Sequence, residues 1–305
     1  MMLWRLGGTA ALTGAAITAY AFAETRRFEV REAEVPILPA GAPPIRLLHV
    51  SDVHLTPAQR VKRDWLKGLA DLRPDLVVNT GDNLADPGSI PAVMDAFSGL
   101  LEVPGVFVRG SNDYFGPTLR NPLWYLKADD GTRHIHGAPL PTLEMSDRFA
   151  NAGWLDLDNA MGTLQIKGLT FGFVGVDDPH LEYDDLDSVR GGADPATDVR
   201  LGVAHAPYLR VLDQFAGEGH DLILAGHTHG GQVCLPGGRA LVTNCDLDTG
   251  RAKGLSRHPA EAPVGAPGAS WLHVSAGVGT SPFAPVRLFC RPEVTLLTLV
   301  PRPDF

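Results

Sequence analysis

Cysteine is scarce in this sequence. Only three of its 305 residues are cysteine, and no Cys-x-x-Cys motif occurs. The odd number and the spacing indicate neither a disulfide framework nor a thiolate metal site. Cys234, Cys245 and Cys290 are therefore interpreted as buried, small hydrophobic residues, with one bridge in an oxidising compartment as the alternative.

Runs of positive charge are also missing. No run is longer than two residues, as at Arg26-Arg27, and the formal net charge of the chain is −9. Nucleic-acid binding proteins carry clustered Lys and Arg, so nucleic acid is disfavoured as the main partner. Hydrophobic residues make up 44% of the chain and charged residues 20%, as in ordinary globular proteins. The length suits one large domain or two small ones, no internal repeat is visible, and we expect a monomer.

One long apolar run is present, over residues 6–23, with Arg5 before it and Arg26-Arg27 after it. Its length is close to that needed to span a bilayer, so residues 1–24 are predicted to be a membrane anchor and the chain is expected at the cell membrane. A secretory signal that ends in Ala21-Phe22-Ala23 is the alternative, and its cleavage would give a secreted protein; a soluble helix is a third. The flanking charges leave the side of the membrane open.

Metal-binding side chains follow five short apolar runs, each of which is typical of a buried strand. α/β proteins collect their sites at the carboxyl ends of strands. One such coincidence is weak evidence, but five that contain only Asp, Asn and His indicate a metal site. Nitrogen and oxygen ligands without a thiolate suit Mn, Fe or Zn. The five blocks are Asp52-Val53-His54, Gly81-Asp82-Asn83, Asn112-Asp113, His205 and Gly226-His227-Thr228-His229-Gly230-Gly231-Gln232.

The order of these blocks resembles the calcineurin-like metallophosphoesterase superfamily, whose pattern is Asp-x-His, Gly-Asp, Gly-Asn-His-Asp/Glu, a lone His and Gly-His-x-His. The similarity runs from Ile45 to the C-terminus. It is greatest to the bacterial membrane-associated branch, through Ser51-Asp52-Val53-His54-Leu55 and the extended Gly-His-Thr-His-Gly-Gly-Gln. The resemblance implies an α/β fold, a four-layer sandwich of two mixed β-sheets flanked by helices with the site at one edge. An N-terminal hydrophobic helix would precede it.

The resemblance also implies two divalent metal ions and the residues that hold them. Asp52, His54 and His229 would bind the first ion, and Asp82 would bridge the two. The second ion would be bound by His205, His227 and an asparagine. Asp82, Asn112 and His205 are the residues expected to take part directly in catalysis.

The third block departs from the family pattern, because it reads Gly110-Ser111-Asn112-Asp113. In strict register Ser111 replaces the asparagine ligand, whereas a slip of one residue makes Asn112 the ligand. Asn112 is preferred, since an amide oxygen is a better ligand than a neutral hydroxyl. The family's histidine, which helps to orient or protonate at the scissile phosphate, is missing from this loop either way. Asp113 is a candidate for orienting a ligand.

Two cations about 3.5–4 Å apart, bridged by one carboxylate, can share a water and lower its pKa toward neutrality. We expect the bridging hydroxide to attack phosphorus, so the predicted function is hydrolysis of phosphate mono- or diesters. A membrane anchor makes a lipid-linked or envelope phosphate a candidate substrate. A membrane-tethered binding or regulatory protein with a degenerate metal site is one alternative, and a binuclear hydrolase of another bond, such as an amide, is a second.

The rest of the chain is divided by composition. Residues 25–44 are predicted to be a connector, either an extended spacer or an outer strand, and residues 45–305 the catalytic domain. Helices are predicted over residues 64–72 and 91–101, and a hairpin turn at Lys167-Gly168. Strands are expected over residues 274–278 and 294–300, and they would complete the second sheet. Residues 251–269, which lie between the last metal-binding block and these strands, are expected to form a mobile loop.

Residues 114–163 are the candidate for a cap that shapes the substrate site, because part of this stretch is rich in Gly and Pro. The functional interpretation is that Tyr114, Trp124, Tyr125, His134 or His136 contacts substrate, and a surface loop is at least as good an interpretation for each. Among the other histidines, His49 is predicted to be a core residue, and His220 and His258 to be solvated.

Overall fold

The structure, a computed structural model, describes residues 2–119, 137–192, 196–263 and 265–303, with side chains from residue 13 onward. Short apolar runs form strands, and amphipathic segments between them form helices. The helices are α1 (Met2–Glu24), α2 (Arg60–Lys67), α3 (Ile90–Phe97), α4 (Ser111–Tyr114), α5 (Thr142–Asn151) and α6 (Leu209–Gly217). The strands are β1 (Glu29–Leu38), β2 (Ile45–Val50), β3 (Leu76–Asn79), β4 (Gly105–Phe107), β5 (Leu155–Asp156), β6 (Ala160–Ile166), β7 (Leu169–Gly175), β8 (Val199–Val203), β9 (Leu222–Ala225), β10 (Gly254–His258), β11 (Ser270–Val274) and β12 (Glu293–Pro301).

These strands form two mixed sheets. The first has the order β1-β12-β2-β3-β4-β5 and the second the order β10-β11-β9-β8-β7-β6. Strands β2 to β5 pair in parallel in the first sheet, and β7, β8, β9 and β11 pair in parallel in the second. The carboxyl ends of each parallel series therefore meet at one edge of its sheet, which is where α/β proteins build their sites.

Apolar side chains from both sheets fill the space between them, and helices cover the outer faces. Both faces of the central strands are therefore buried, which explains why these strands read as continuous apolar runs. The predicted four-layer sandwich is confirmed. The inner layer includes Leu47, Val78, Phe171 and Leu224; α2, α3 and α5 pack on the first sheet through Leu66, Phe97 and Phe149; α6 packs on the second through Val211 and Phe215.

Two predictions about the C-terminal third were wrong. Strand β12 lies in the first sheet, antiparallel to β2, with Leu297 opposite Leu47; an apolar run predicts a strand but does not say which sheet it joins. The segment predicted as a mobile loop contains β10, which pairs with β11 and packs Leu255 and Trp271 against the inner core.

Among the described residues, four histidines outside the metal-binding blocks are buried, namely His49, His220, His258 and His273. His49 lies in the core as predicted, and its Nδ1 is 2.8 Å from Nδ1 of His273 in the other sheet. His220 and His258 were predicted to be solvated, but both are buried. His220 Nδ1 donates to Phe215 O, and His258 Nε2 lies 2.7 Å from Asp213 Oδ1, so α6 supplies a polar partner to each of them.

The smaller elements also bear on the predictions. The hairpin turns at Lys167-Gly168 between β6 and β7, as expected. Helix α2 begins four residues before the predicted helix and continues as a 3-10 turn over Gly68–Leu72, and α3 ends at Phe97, just before Ser98 and Gly99. In the predicted connector, β1 is an edge strand that pairs in parallel with β12, which corresponds to the outer-strand alternative.

The N-terminal segment forms the helix α1. Among the helices whose residues the structure describes, none is both long and apolar enough to cross a bilayer. The end of α1 packs on the domain, because Ala21 O accepts from Arg287 N at 3.0 Å and Glu24 Oε2 accepts from Phe289 N at 2.9 Å.

Candidate metal centre

All seven predicted ligands lie in the segments that follow β2, β3, β4, β8 and β9, where the two parallel series end; Asn112 is in the short helix α4. Five of them have a left-handed backbone, with φ of 50° at Asp52, 43° at His54, 58° at Asp82, 69° at His227 and 49° at His229. This conformation is uncommon for residues other than glycine and is concentrated at functional sites, where the surrounding structure must enforce it. The turns bring side chains from both sheets to one place.

Two glycines permit this convergence. A Cβ at Gly110 would collide with the Asp82 carboxylate and the His205 ring, and a Cβ at Gly226 would collide with the side chains of Ser51 and Asp52. Only glycine allows the backbone to approach this closely.

Four of the seven side chains form one compact group. One ligand atom from each of Asp52, His54, Asp82 and His229 lies within 4.8 Å of the others. His54 Nε2 is 3.2 Å from His229 Nε2 and 3.4 Å from Asp82 Oδ2, and His229 Nε2 is 3.5 Å from Asp52 Oδ1. Two carboxylates and two imidazoles therefore point at a common centre.

The protonation of this group suits a divalent cation. His229 Nδ1 lies 3.2 Å from Gly279 O, which can only accept, and 3.4 Å from Arg287 Nη2, which can only donate; the shorter contact places the proton on Nδ1, so Nε2 presents its lone pair. Burial lowers the pKa of His54 to about 4 and that of His229 well below its usual value, so both rings are neutral at pH 7. Neutral imidazole nitrogens and carboxylate oxygens are the form in which these residues bind metal, and the donor set fits Mn, Fe or Zn.

His205 faces the other oxygen of Asp82. Its Nδ1 is 2.7 Å from Thr80 O, which fixes the tautomer and leaves Nε2 as the ligand atom. That Nε2 is buried without a hydrogen-bond partner and lies 3.6 Å from Asp82 Oδ1. Burial alone would lower the pKa of His205, but the carboxylates of Asp82, Asp178 and Asp52 raise it to about 9.

His227 and Asn112 border the same region. The His227 ring centroid is 5.3 Å from that of His205, and its Nε2 donates to Asn244 O at 3.1 Å. Asn112 donates from its backbone N to Asp82 Oδ1 and from Nδ2 to Asp82 Oδ2, both at 2.7 Å. Ser111 makes its contact with Asn112 Nδ2 at 3.3 Å. Asn112, rather than Ser111, thus lies against the Asp82 carboxylate, which agrees with the preferred register; its role as a ligand stays a prediction.

Asp82 is the centre of the arrangement. Burial alone would raise the pKa of its carboxyl group, but the charge of His205 and the two hydrogen bonds from Asn112 keep it well below the usual value. Asp52 differs, because burial raises its pKa to about 6. Asp82 is therefore ionised throughout the physiological range of pH.

Asp113 holds the loops in place. Its buried carboxylate accepts hydrogen bonds from the backbone N of Asp82, Asn83, Leu84 and Gly110, at 2.7 to 3.1 Å. These bonds fix the backbone on both sides of Asp82, the predicted bridging ligand; that Asp113 orients a ligand stays a prediction.

Two buried cations were missed in the sequence. Arg287, which is fully buried, donates to the carbonyl oxygens of Ala276, Gly277 and Gly279 at 2.7 to 3.1 Å and of His229 at 3.5 Å. Lys62 Nζ donates to Val53 O at 2.8 Å and His54 O at 3.2 Å. Both cations bind loop carbonyls rather than ligand atoms, so no motif in the sequence reveals them.

The predicted substrate contacts are only partly described. Trp124, Tyr125, His134 and His136 lie outside the described residues. Tyr114 donates its hydroxyl to Asp177 at 2.7 to 2.8 Å, so its polar atom is engaged within the protein. Asp178, its neighbour, accepts a hydrogen bond from the backbone N of His180 at 2.9 Å and so stabilises a turn there.

Comparison with known proteins agrees with the geometry. The sequence profile described as calcineurin-like phosphoesterase matches residues 45–231, which include all seven predicted ligands. An uncharacterized metallophosphoesterase of Aquifex aeolicus is 29% identical over 287 residues, covering 92% of this chain and 95% of its own. Phosphodiesterase YaeI of Escherichia coli is 27% identical over 293 residues, covering 92% of this chain and 91% of its own.

Among solved structures, a dimetal phosphatase from Danio rerio is similar at 13% identity, with a TM-score of 0.41, over 78% of this chain and 88% of that one. The chain belongs to the calcineurin-like phosphoesterases and is a metal-dependent phosphoesterase.

Proposed function

We propose that this phosphoesterase binds two divalent ions, bridged by Asp82, and hydrolyses phosphate mono- or diesters. The observation that carries the proposal is the orientation of one carboxylate: Oδ2 of Asp82 lies 3.4 Å from His54 Nε2, and Oδ1 lies 3.6 Å from His205 Nε2. Each oxygen faces a different set of imidazoles. A carboxylate shared in this way is how proteins hold two cations side by side.

The residues divide into two sets. Asp52, His54 and His229 would hold the first ion, and the ions, when bound, supply the positive charge that activates water and neutralises phosphate oxygens. His205, His227 and the amide oxygen of Asn112 would hold the second ion. The ions are expected to be Mn, Fe or Zn, because no thiolate is present among the candidate ligands.

Residues of the chain preset this geometry. Thr80 O orients the His205 ring, and Gly279 O orients the His229 ring, so each imidazole presents Nε2 before any ligand arrives. Asp113 fixes the backbone of Asp82. Such fixed groups stabilise developing charge without the cost of reorganising during the reaction.

A phosphodiester is the favoured substrate within this class, because the similar protein of Escherichia coli is named a phosphodiesterase. The apolar run over residues 6–23 supports attachment to the cell membrane, on a side that the flanking charges leave open. Attachment would give access to lipid-linked or envelope phosphates.

The test uses the full chain loaded with Mn, Fe or Zn in turn, with bis(p-nitrophenyl) phosphate, p-nitrophenyl phosphate and a panel of lipid phosphates as substrates. Asp82→Asn should lower turnover on the order of 10³-fold and reduce the content of both metals. Asp187→Asn is the matched control, since the Asp187 side chain is 85% exposed. Normal turnover of Asp82→Asn with a full complement of metal would count against the proposal.

A further inference from the structure

Exposed large hydrophobic side chains are concentrated around one end of the metal centre. Of twelve such residues among those the structure describes, seven lie on the end of α1 or on the loops over residues 232–243 and 280–291. We call these three segments together the loop–helix surface. The seven are Ile17, Tyr20, Phe22, Leu235, Leu241, Phe283 and Phe289, and each is between 38% and 49% exposed.

Backbone and side-chain contacts make the three segments one continuous surface. The two loops bond to each other through Leu288 N to Gln232 O at 3.0 Å and Cys234 N to Leu288 O at 2.9 Å. The 280–291 loop bonds to α1 through Arg287 N to Ala21 O, and the ring centroids of Tyr20 and Phe289 are 6.2 Å apart. The exposed side chains therefore share a supporting framework.

In the 232–243 loop, some apolar side chains pack against the protein and their neighbours in the sequence do not. Cys234 and Ala240 are buried in a small apolar cluster, whereas the next residue along the chain, Leu235 and Leu241 respectively, is exposed. Single exposed hydrophobic residues need no explanation, but a continuous group of them marks a surface that contacts another phase or molecule.

The charge of this surface differs from that of the rest of the chain. The 232–243 loop carries the exposed Arg239, and the 280–291 loop carries Arg291, whose side chain is 42% exposed and also pairs with Glu29 at 3.4 Å. Arg287 of the second loop is buried, and neither loop contains Asp or Glu, in a protein of net charge −9. Arg26 and Arg27, both exposed, follow directly after α1. Aromatic and aliphatic residues next to basic residues are the composition that binds anionic lipid surfaces.

We propose that the loop–helix surface docks on a lipid bilayer that contains anionic headgroups. The apolar run of residues 6–23 leads directly into this surface, so the chain that precedes it has the same preference for lipid. The surface also borders the metal centre: the 232–243 loop follows His229, and Gly279, which fixes His229 Nδ1, precedes the 280–291 loop. Docking would place the metal centre beside the headgroups, whether or not Asp82 bridges two ions.

The experiment measures the surroundings of single positions in the full chain. An environment-sensitive fluorophore is attached to Phe283→Cys or Leu241→Cys in a Cys245→Ser background, because Cys234 and Cys290 are buried and Cys245 is only partly so. Leu143→Cys on α5, 72% exposed and far along the chain from this surface, is the matched control. Vesicles of phosphatidylcholine, with and without phosphatidylglycerol, are then added.

With phosphatidylglycerol vesicles, the emission at positions 241 and 283 should shift to the blue and be quenched by spin-labelled lipid, while that at position 143 should not change. A chain that sediments with vesicles while both loop labels stay aqueous would overturn the proposal, because α1 alone would then account for binding. A blue shift that appears without vesicles when the protein concentration is raised would overturn the proposal, because a second copy of the chain would then cover this surface. Equal shifts at all three positions would overturn it as non-specific adsorption.

Discussion

The two halves of the metal centre differ in how completely the protein has built them. In the first half, ligand atoms of Asp52, His54, Asp82 and His229 already lie within 4.8 Å of one another. In the second half, the candidate ligands among the described residues form no such compact group; His205 Nε2 lies 3.6 Å from Asp82 Oδ1, and the neighbouring carboxylates raise the pKa of His205 to about 9. The first position is preorganised, and the second must lose a proton from His205 before it can bind metal.

This difference predicts an order of affinity. Preorganised ligands lose less entropy and break fewer contacts when they bind, so the first ion should bind more tightly than the second. This order can be tested by replacing a ligand of one ion at a time, by replacing a residue that holds the ligands of the first ion in position, and by changing the pH.

The largest effect is expected from removing a ligand of the preorganised half. His229→Ala should remove the first ion and lower turnover on the order of 10³-fold, whereas His205→Ala should leave one tightly bound ion and lose the second. Metal content per chain, measured after dialysis by inductively coupled plasma mass spectrometry, separates the two variants. His258→Ala should change turnover little, because His258 lies on β10 and bonds to Asp213. Loss of both ions in His205→Ala would break the comparison.

A smaller effect is expected from weakening the hydrogen bonds that hold the backbone around His229 in place. Arg287→Lys keeps the charge but cannot reach all the carbonyl oxygens around His229, so affinity for the first ion should fall about 10- to 100-fold. The second ion should be affected less. Isothermal titration with Mn measures both, and thermal unfolding of the metal-free protein reports any loss of stability. Arg302→Lys, which alters an exposed pair with Asp221, is the control. Equal weakening of both positions would show that Arg287 acts on the fold rather than on His229.

The pH dependence should separate the halves as well. His205 must lose its proton to bind metal, and neighbouring carboxylates raise its pKa to about 9, so affinity for the second ion should rise about tenfold per pH unit up to pH 9. In the first half His54 and His229 are already neutral, and Asp52, whose pKa burial raises to about 6, is ionised above that pH. Affinity for the first ion should therefore be nearly constant between pH 7 and 9. Parallel slopes for the two ions in metal-competition titrations would contradict this account.

The positions of the candidate ligands could be predicted from the sequence, because the pattern that marks them involves only neighbouring residues. Each candidate ligand directly follows an apolar run, and parallel strands bring the ends of such runs together. The residues that hold the candidate ligands in position could not be predicted in this way. Arg287 acts on His229 from 58 residues away through carbonyl oxygens, and backbone acceptors leave no mark in the sequence.

The sheets show the same limit. The apolar and β-branched residues over 294–300 predict a strand, but placing β12 beside β2 depends on pairs such as Leu299 opposite Ile45, which are distant along the chain. Strand β10 contains a single large apolar residue, Leu255, within Gly- and Pro-rich sequence, so its local composition predicts a loop and its pairing with β11 makes it a strand. Tertiary pairing, not local preference, decides both cases.

The most direct test of the central claim is electron paramagnetic resonance of the Mn-loaded protein. Two Mn ions bridged by Asp82 should give an exchange-coupled signal, and Asp82→Asn should abolish the coupling along with turnover. The account is contradicted if the fully active wild-type protein gives only the six-line signal of isolated Mn.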